Sequence, residues 1–378
     1  MLYLDHHATT PVLPEVVEAM RPFWSETFGN PSSAHAFGRK ARQALEDARE
    51  KIARLLEANP DELLFTSGAT ESNNLAIFGL VGSAPGHVLA SPIEHPCVIE
   101  PVKQLAARGF EVEWLPVQSN GRVHPDAVTQ RLRPDTRLVT MMLVNHETGA
   151  RQPVEESALA ARSALVHCDA AQALAKVAVS FRSLNVTTLS ASGHKIGAPK
   201  GIGILLLKRG TRLNPLVFGG HQQHGRRPGT EPVALAVGFA KALEIAGHRL
   251  SERASDVSRV RSALIERLHQ GAPPILLNSP TDGSPYVVNI SFPGCRADLL
   301  LMKLDLLGVA CSTGSACSSG SLLPSPVLRA MGVDQELLSS ALRFSFSSSI
   351  TLAEIDEAAI CIIKAVKDLR QQMSNDPL

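Results

Sequence analysis

The chain has 378 residues, of which 44% are hydrophobic and 19% charged, a composition typical of globular proteins with enough apolar material for more than one core. Its 37 lysines and arginines nearly balance its 36 aspartates and glutamates, so the formal net charge is +1. A charge this small excludes an overall field that attracts nucleic acid or an anionic membrane, and we expect small molecules as partners.

The N-terminal segment argues against export. Residues 1–10 include Asp5, His6 and His7 where a signal peptide needs a continuous apolar run, and no apolar stretch in the sequence is long enough to span a bilayer. We therefore expect no membrane association and a cytoplasmic location. The six cysteines show neither a C-x-x-C pair nor a regular spacing, which argues against a disulfide framework or a zinc site.

Apolar periodicity predicts an α/β fold in the first two thirds of the chain. Apolar residues recur every three or four positions from Pro14 to Trp24 and from Gly38 to Leu56, which predicts two helices. Short apolar runs then alternate with helical or loop segments, and this rhythm predicts a mostly parallel sheet. The runs are Leu63–Phe65, His87–Ala90, Val112–Leu115, Leu138–Leu143, Ala164–Cys168, Val186–Ser190 and Ile202–Leu207.

A smaller α+β unit is predicted after the long helical pattern from Pro232 to His269. The strand-like and helical runs of this unit are Tyr286–Phe292, Asp298–Leu307, Ala341–Ser347 and Ala353–Met373. We predict a large α/β domain over residues 15–255, and a small α+β domain formed by residues 1–14 and 256–378. Ser312–Ser321 contains almost only Ser, Gly, Ala and Cys, which predicts a mobile loop within residues 310–324.

Polar residues follow several of the predicted strands, and ligands of open α/β sheets bind at the carboxyl edge of the strands. Lys195 is the last residue of the segment Ser190–Lys195, which we expect to reach such an edge. A lysine there can point into a crevice, although a solvated surface charge is commoner. Asp169 follows another strand, and Gln172 lies three residues later. The carboxylate of Asp169 could hold a pyridine nitrogen or cap the next helix.

Two further polar clusters, Glu94–His95 and Asn145–Glu147, also follow predicted strands. A histidine can stack on an aromatic cofactor and an asparagine can donate to a phenolic oxygen, while ordinary loop polarity is the alternative. Phe65–Asn74 places small hydroxyl residues and a glycine between a strand and a helix, which suits either a phosphate or a capping box. The sequence contains no Walker A or G-x-G-x-x-G motif and no metal-ligand spacing, so we expect neither a nucleotide nor a metal.

Together these segments resemble the NifS- and IscS-type cysteine desulfurases, members of the class-V aminotransferase family with a pyridoxal-phosphate domain of fold type I. The resemblance runs nearly end to end. Its motifs are Tyr3–Asp5 with Ala8–Pro11, Gly29–Ser33, Thr66–Glu71, Glu94–His95, Ser192–Lys195, Pro199–Gly203 and Gly314–Cys317. The resemblance implies a large domain with a mostly parallel seven-stranded sheet and pyridoxal 5'-phosphate as cofactor.

By this resemblance Lys195 would hold the cofactor as a Schiff base, Asp169 would pair with its pyridine nitrogen, and His95 would stack on its ring. Gln172 and Asn145 would contact the side of the ring that carries the oxygen. The remaining cofactor-binding residues would lie around the phosphate: Ala69, Thr70, Ser192, His194 and, from a neighbouring subunit, Thr230. The resemblance therefore also implies a homodimer with shared active sites.

On the substrate side the resemblance implies that Arg343 binds the carboxylate of L-cysteine, with help from Asn30 and Asn145. A thiolate at Cys317 would attack the sulfur of the substrate, which leaves alanine and a persulfide. The sulfur would then pass to an acceptor, either an iron–sulfur scaffold protein or a tRNA-modifying enzyme, and the sequence does not distinguish these. We expect Cys311, six residues before Cys317, to be a core residue.

The sequence departs from the family pattern at His6–His7, His146, Pro96, Ser347 and, most conspicuously, Gln222–His224, where the family has a glutamine, an acid and an arginine. None of these changes removes a residue that the mechanism needs. The alternatives are another class-V reaction, namely transamination, selenocysteine lysis or cysteine sulfinate chemistry, and a non-catalytic sulfur-transfer scaffold. Retention of Lys195, Asp169 and Cys317 argues against the scaffold.

Overall fold

The computed structural model describes residues 1–314 and 324–375. Its strands are β1 (Leu2–Tyr3), β2 (Leu63–Thr66), β3 (His87–Ala90), β4 (Glu111–Trp114), β5 (Thr136–Thr140), β6 (Leu165–Asp169), β7 (Thr188–Ser192), β8 (Gly203–Leu207), β9 (Leu276–Leu277), β10 (Val287–Ser291), β11 (Val309–Ala310) and β12 (Ala341–Ser345). Its longer helices are α1 (Pro14–Met20), α2 (Pro22–Ser25), α3 (Ala36–Leu55), α4 (Ala69–Val81), α5 (Pro96–Ala107), α6 (Pro125–Arg131), α7 (Val154–Ala160), α8 (Phe181–Leu184), α9 (Val233–His248), α10 (Leu250–Gly271), α11 (Ala297–Leu306), α12 (Pro326–Ala330), α13 (Gln335–Leu338) and α14 (Leu352–Asn375).

Seven strands form the main sheet in the order β2-β8-β7-β6-β5-β3-β4. Strand β8 runs antiparallel to both of its neighbours, and the other pairs are parallel. This confirms the predicted mostly parallel, seven-stranded sheet. Parallel strands buried on both faces read as continuous apolar runs, which is why the sequence revealed them.

Two of the predicted helices are each divided in the structure. The first pattern, from Pro14 to Trp24, becomes α1 and α2 because Pro22 has no backbone N–H to continue the helix. The pattern from Pro232 to His269 becomes α9 and α10, which meet at Arg249 in a non-helical conformation. Apolar periodicity did not reveal either break, since apolar residues continue in the sequence on both sides of it.

Helices cover both faces of the main sheet. On one face α3 buries Ala41, Leu45, Ala48 and Ile52, spaced three or four apart, against the sheet and α9. On the other face α4 and α5 pack in a separate hydrophobic cluster. The sheet is therefore the middle layer of three, and its carboxyl edge is free to carry the polar residues that follow the strands.

A second hydrophobic core lies outside the main sheet. It is formed by a three-stranded antiparallel sheet, in the order β12-β10-β9, with α10, α11 and α14. Strand β1 pairs with β11, and Leu4 is buried in the same core, so the N-terminus joins this unit. The domain boundaries at residues 14 and 255 stay a prediction. Among the described residues, no helix is long and apolar enough to cross a membrane.

Candidate functional site

A cavity of about 330 Å³ lies between the carboxyl edge of the main sheet and the second unit. Four of the predicted site residues line it: Lys195, His95 and Gln172 from the main sheet, and Arg343 from β12. We call the side formed by Lys195, His95 and Gln172, with Asp169 behind them, the sheet wall. The side formed by His7, His146, Glu147 and Arg343 is the Arg343 wall.

Lys195 ends a single 3-10 turn, Gly193–Lys195, that directly follows β7. Its Nζ donates to the carbonyl oxygen of Ala8 at 2.8 Å and also to that of His7. A short turn after a strand gives the side chain a fixed origin at the sheet edge. The amine is therefore held at the floor of the cavity by the N-terminal segment.

Asp169 ends β6, and both of its carboxylate oxygens are engaged. Oδ1 accepts from the backbone N–H of Ala171 and Oδ2 accepts from Asn73 Nδ2, each at 2.8 Å. The amide oxygen of Asn73 in turn accepts from His167 Nε2 at 3.0 Å and from the Ser190 hydroxyl. Three elements of the fold thus fix the carboxylate, which is the arrangement that holds a charged group in a defined direction.

Asn73 was missed by the sequence reasoning, which treated it only as part of Phe65–Asn74. It is fully buried on α4, shortly before the buried apolar residues Leu75 and Ala76. An asparagine on the buried face of an apolar helix requires hydrogen-bond partners, and this was the signal that could have identified it.

His95 is the N-cap of α5, and its Nδ1 accepts from the backbone N–H of Cys97 at 3.2 Å. Burial lowers the pKa of His95, so the ring is neutral and carries its proton on Nε2. The Cys97 thiol lies 2.9 Å from Nδ1 and accepts from Asn73 Nδ2 at 3.0 Å. His95 and Asp169 are therefore linked through Cys97 and Asn73.

Glu94 is a buried carboxyl beside these groups. Its Oε1 accepts from the backbone N–H of Met142 at 2.5 Å. Burial, and then the nearby charge of Asp169, raise the pKa of Glu94 well above its usual range, so this environment favours the protonated form of Glu94.

The start of α4 lies against the end of β7. Gly68 is the N-cap residue of α4, and no side chain caps the helix there. A Cβ added to Gly68 would lie 3.8 Å from the Ser192 hydroxyl. The Glu71 carboxylate accepts at 2.7 Å from the backbone N–H of Ser67, the residue before the N-cap, and not from the N-cap itself as a capping box requires. Neither Ser67 nor Thr70 caps the helix, so that part of the capping alternative is wrong.

His194 lies at the same end of the site. Burial, and then the charge of Lys195, lower the pKa of His194 to about 4, and its Nδ1 lies 3.2 Å from the Thr9 hydroxyl. A helix N-terminus, a serine hydroxyl and a neutral imidazole together form a donor set suited to a phosphate.

Arg343 is almost completely buried on β12, and it donates to Asp5 Oδ1 at 2.9 Å and to the carbonyl oxygen of His146 at 3.2 Å. Its Nε has no hydrogen-bond partner among the described residues. His7 donates from Nδ1 to the same carbonyl at 3.1 Å, and its Nε2 also lacks a partner in residues 1–314 and 324–375. The Arg343 wall thus keeps unused hydrogen-bonding groups beside a positive charge.

Glu147 lies on this wall, next to both flanks of the segment that carries Cys317. It accepts from the Ser325 hydroxyl, and a Cβ on Gly314 would come within 2.6 Å of its Oε2. Burial raises the pKa of Glu147 to about 7. Sequence reasoning placed Glu147 in a polar cluster but gave it no role. Cys317 itself, and most of the predicted mobile loop, lie outside the described residues.

Asn145 is close to the cavity but does not line it. Its Nδ2 donates to the carbonyl oxygen of Ile93 and to the sulfur of Met142, and its Oδ1 accepts from the backbone N–H groups of Glu147 and Thr148. The amide group of Asn145 thus stabilises the turn in which it lies. A contact of Asn145 with the cofactor or the substrate stays a prediction.

Within one chain, neither Thr230 nor Asn30 lines the cavity. Both are exposed and line a separate depression of about 270 Å³, together with Trp24 and Phe28. Trp24 is 63% exposed and Phe28 65%. Exposed aromatic side chains that lie close together are typical of surfaces that bind another molecule.

Two further expectations concern Cys311 and Gln222–His224. Cys311 packs against the second core, and burial raises its pKa to about 12, as expected for a core thiol. Gln223 is buried, and its Oε1 accepts from Phe65 N at 3.0 Å and from Arg49 at 3.2 Å. The altered loop is therefore anchored next to β2. The part of the chain that the structure describes contains no group of three potential metal ligands.

Comparison with known proteins agrees with this geometry. The family model of the class-V aminotransferases matches residues 2–357. The cysteine desulfurase IscS of Dictyoglomus turgidum is 40% identical over 375 residues, covering 98% of this chain and 95% of that one. Human cysteine desulfurase is 39% identical, covering 98% and 82%.

Solved structures give the same result. A structure described as a NifS-like protein superposes with a TM-score of 0.90 at 35% identity, covering 99% of this chain and 100% of that chain. A structure of SspA in complex with cysteine gives a TM-score of 0.83 at 35% identity, covering 93% and 100%. The chain therefore belongs to the class-V aminotransferase family of pyridoxal-phosphate enzymes, alongside the NifS-like and IscS-type cysteine desulfurases.

Proposed function

We propose that this protein removes sulfur from L-cysteine, giving L-alanine and a persulfide on Cys317. The observation that carries the proposal is that Lys195, His95 and Gln172 face Arg343 across a single cavity. The relatives named as cysteine desulfurases support the reaction, and the SspA structure in complex with cysteine supports the substrate.

The sheet wall fits pyridoxal 5'-phosphate. Lys195 supplies the amine that would hold its aldehyde carbon, and Asp169, fixed by Asn73, would face its pyridine nitrogen. His95 would stack on the ring, with Ser192, His194 and the start of α4 around the phosphate. When bound, the cofactor supplies an electron sink that lets the Cα–H and Cβ–S bonds of an amino acid break.

The chain's own groups would bind the amino acid and move its protons. Arg343 would be the cation for the carboxylate, since its guanidinium side chain lines the cavity. Lys195 would carry the proton away from Cα. The thiolate of Cys317 would attack the substrate sulfur, so that an S–S bond forms and the Cβ–S bond breaks. The electron pair of the broken Cβ–S bond stays on Cβ, which takes a proton and becomes the methyl group of alanine.

A homodimer is part of this proposal. Thr230 and Asn30 lie away from the cavity of their own chain, beside the exposed rings of Trp24, Phe28 and Phe37. A second copy that covers these rings would bury apolar surface and bring Thr230 to its partner's phosphate site. The persulfide sulfur would then pass to an acceptor, either an iron–sulfur scaffold or a tRNA-modifying enzyme.

Other class-V reactions remain as alternatives on the same scaffold. Transamination and selenocysteine lysis both use an amine such as Lys195 and a carboxylate-binding arginine such as Arg343. Transamination does not need a thiol. The dependence of product formation on Cys317 therefore separates desulfuration from amino-group transfer.

The test is the release of alanine and sulfide from L-cysteine by the protein loaded with pyridoxal phosphate, in the presence of a reducing thiol. We expect equal amounts of both products from the wild type and from Cys311→Ala, and loss of both in Lys195→Ala and Cys317→Ala. Cys311→Ala is the matched control, a nearby thiol that packs against the second core. Cofactor binding without alanine formation would overturn the reaction assignment.

A further inference from the structure

A second lysine is buried next to Gln172. Lys176 lies in the loop after β6 and is 5% exposed. A buried lysine is rare and costly unless its nitrogen finds a hydrogen-bond partner. Its Nζ donates to Gln172 Oε1 at 2.6 Å. Burial, and then the positive charges of Lys195 and Arg343, lower the pKa of Lys176 well below its usual range.

The amide of Gln172 is held from both ends. Its Nε2 donates to the carbonyl oxygen of His7 at 2.9 Å, and the same oxygen accepts from Lys195 Nζ. The shape of an amide does not distinguish its oxygen from its nitrogen, so its partners define the orientation. The carbonyl of His7 can only accept, which places the nitrogen next to it and leaves the oxygen facing Lys176.

This orientation matters for the cavity. Gln172 lines it, whereas both amide protons of Asn145 are used by Ile93 and Met142. Both Gln172 and Asn145 are expected near the ring oxygen of the cofactor, and of these two Gln172 lines the cavity. Among the described residues the Nε2 of Gln172 bonds only to the carbonyl of His7, so its second proton is available for an acceptor.

We propose that Lys176 is a positioning residue, which fixes the amide of Gln172 so that its N–H, and not its oxygen, meets the ring oxygen of pyridoxal phosphate. The inference rests on the proposed function, because it assumes that cofactor. Without Lys176 only the carbonyl of His7 holds this orientation, and a 180° turn of the amide would present its oxygen to another oxygen. Lys176 itself touches neither cofactor nor substrate.

The test is a double-mutant cycle on cofactor binding, with Lys176→Met, Gln172→Leu and the double variant. Methionine keeps the length of the apolar stem but removes the donor. The matched control is Lys208→Met, an exposed lysine whose Nζ also lies near an amide oxygen, that of Asn185 at 3.4 Å. The dissociation constant of pyridoxal phosphate and the absorption maximum of the bound cofactor are measured for each variant.

We expect Lys176→Met and Gln172→Leu each to weaken cofactor binding about five- to tenfold, and to shift the absorption maximum in the same direction. The double variant should be no worse than either single variant, because both remove the same hydrogen bond. Lys208→Met should match the wild type. Losses that multiply in the double variant, or wild-type binding and absorption in folded Lys176→Met, overturn the proposal.

A further variant answers the question if Lys176→Met does not fold. Gln172→Glu keeps an acceptor for Lys176 but loses the donor, so it should weaken cofactor binding as Gln172→Leu does while melting at a higher temperature without cofactor. Equal melting temperatures for these two variants would contradict a bond between Lys176 and residue 172. Alanine formation by the wild type is measured separately, so failure of the reaction assignment does not alter this readout.

Discussion

The two walls of the cavity differ in how many of their buried polar groups have hydrogen-bond partners. On the sheet wall, Asp169 is held by Asn73 and Ala171, and Asn73 is held by His167 and Ser190. On the Arg343 wall, the Nε of Arg343, the Nε2 of His7 and the Nδ1 of His146 have no partner within the described ranges, whereas on the sheet wall this holds for the Oε2 of Glu94. Buried polar groups normally find partners, so unpartnered ones require an explanation.

We infer from this difference that the two walls bind different kinds of ligand, one that stays bound and one that is exchanged. Groups fixed by the protein itself are suited to a resident cofactor, because no reorganisation is needed when it binds. Groups that lack partners are suited to a ligand that arrives and leaves in each turnover. Four substitutions test this division.

The largest effect is expected for Arg343→Leu. It removes the buried cation that the substrate carboxylate would meet and leaves Asp5 without its ion-pair partner. We expect kcat/KM for L-cysteine to fall about 100-fold or more, which corresponds to roughly 3 kcal/mol. Cofactor stoichiometry should stay close to that of the wild type. Steady-state alanine formation and cofactor absorbance measure the two effects, and loss of the cofactor would contradict the division.

Asn73→Ala tests the sheet wall. It removes the donor to Asp169 and the acceptor for His167, so buried groups lose partners at a cost of about 1–3 kcal/mol. We expect roughly tenfold weaker binding of pyridoxal phosphate and a lower melting temperature, measured by titration and calorimetry. The control is Asn74→Ala, whose side chain bonds only to the exposed carbonyl of Thr70. Equal effects at both positions would contradict the role of Asn73.

Glu147→Gln tests the charge state of the Arg343 wall. Burial raises the pKa of Glu147 to about 7, whereas an unfolded chain ionises near pH 4.3. Between these values the folded protein holds a proton that the unfolded chain has lost. The free energy of unfolding of the wild type should therefore fall as pH rises from about 4 to 7, by at most about 4 kcal/mol.

The glutamine variant should lack this part of the pH dependence. Urea unfolding of the cofactor-free protein at pH 5 and pH 8 measures it, with the exposed Glu18→Gln as control. If wild type and Glu147→Gln show the same change between the two pH values, the raised pKa is refuted.

The smallest effect is expected for Cys97→Ala. Burial, and then the charge of Asp169, raise the pKa of the Cys97 thiol above its usual range, so it is not a competing nucleophile. It contacts His95 and Asn73, but the backbone N–H of Cys97 remains to hold His95. We expect less than about a threefold change in cofactor affinity. A tenfold loss would show that the thiol itself is essential to the sheet wall.

Much of the sheet wall could be predicted from the sequence. Buried parallel strands are recognisable as apolar runs, and the residues after them, such as His95, Asp169 and Lys195, converge at one edge by topology alone. The roles of individual residues came from the resemblance rather than from the pattern. Asn73 and Lys176 were missed because their partners lie on other elements, and only packing brings them together.

The Arg343 wall was less accessible to sequence reasoning. Asp5 and Arg343 are 338 residues apart, and no local pattern indicates that they form an ion pair. The hydrogen bonds of Lys195 to His7 and Ala8 span 187 residues or more. Such contacts depend on how two separate cores dock, which neither periodicity nor composition encodes.

The pairing of β1 with β11 has a consequence for the order of events during synthesis. Leu2 pairs with Val309, so strand β1 finds its partner only after more than 300 further residues have been made. The main sheet can form earlier, since its strands end at Leu207. Until β11 emerges, the segment that binds Lys195 and Arg343 has no strand to fix it. A nascent chain can thus possess a folded sheet while its reaction centre is still unassembled.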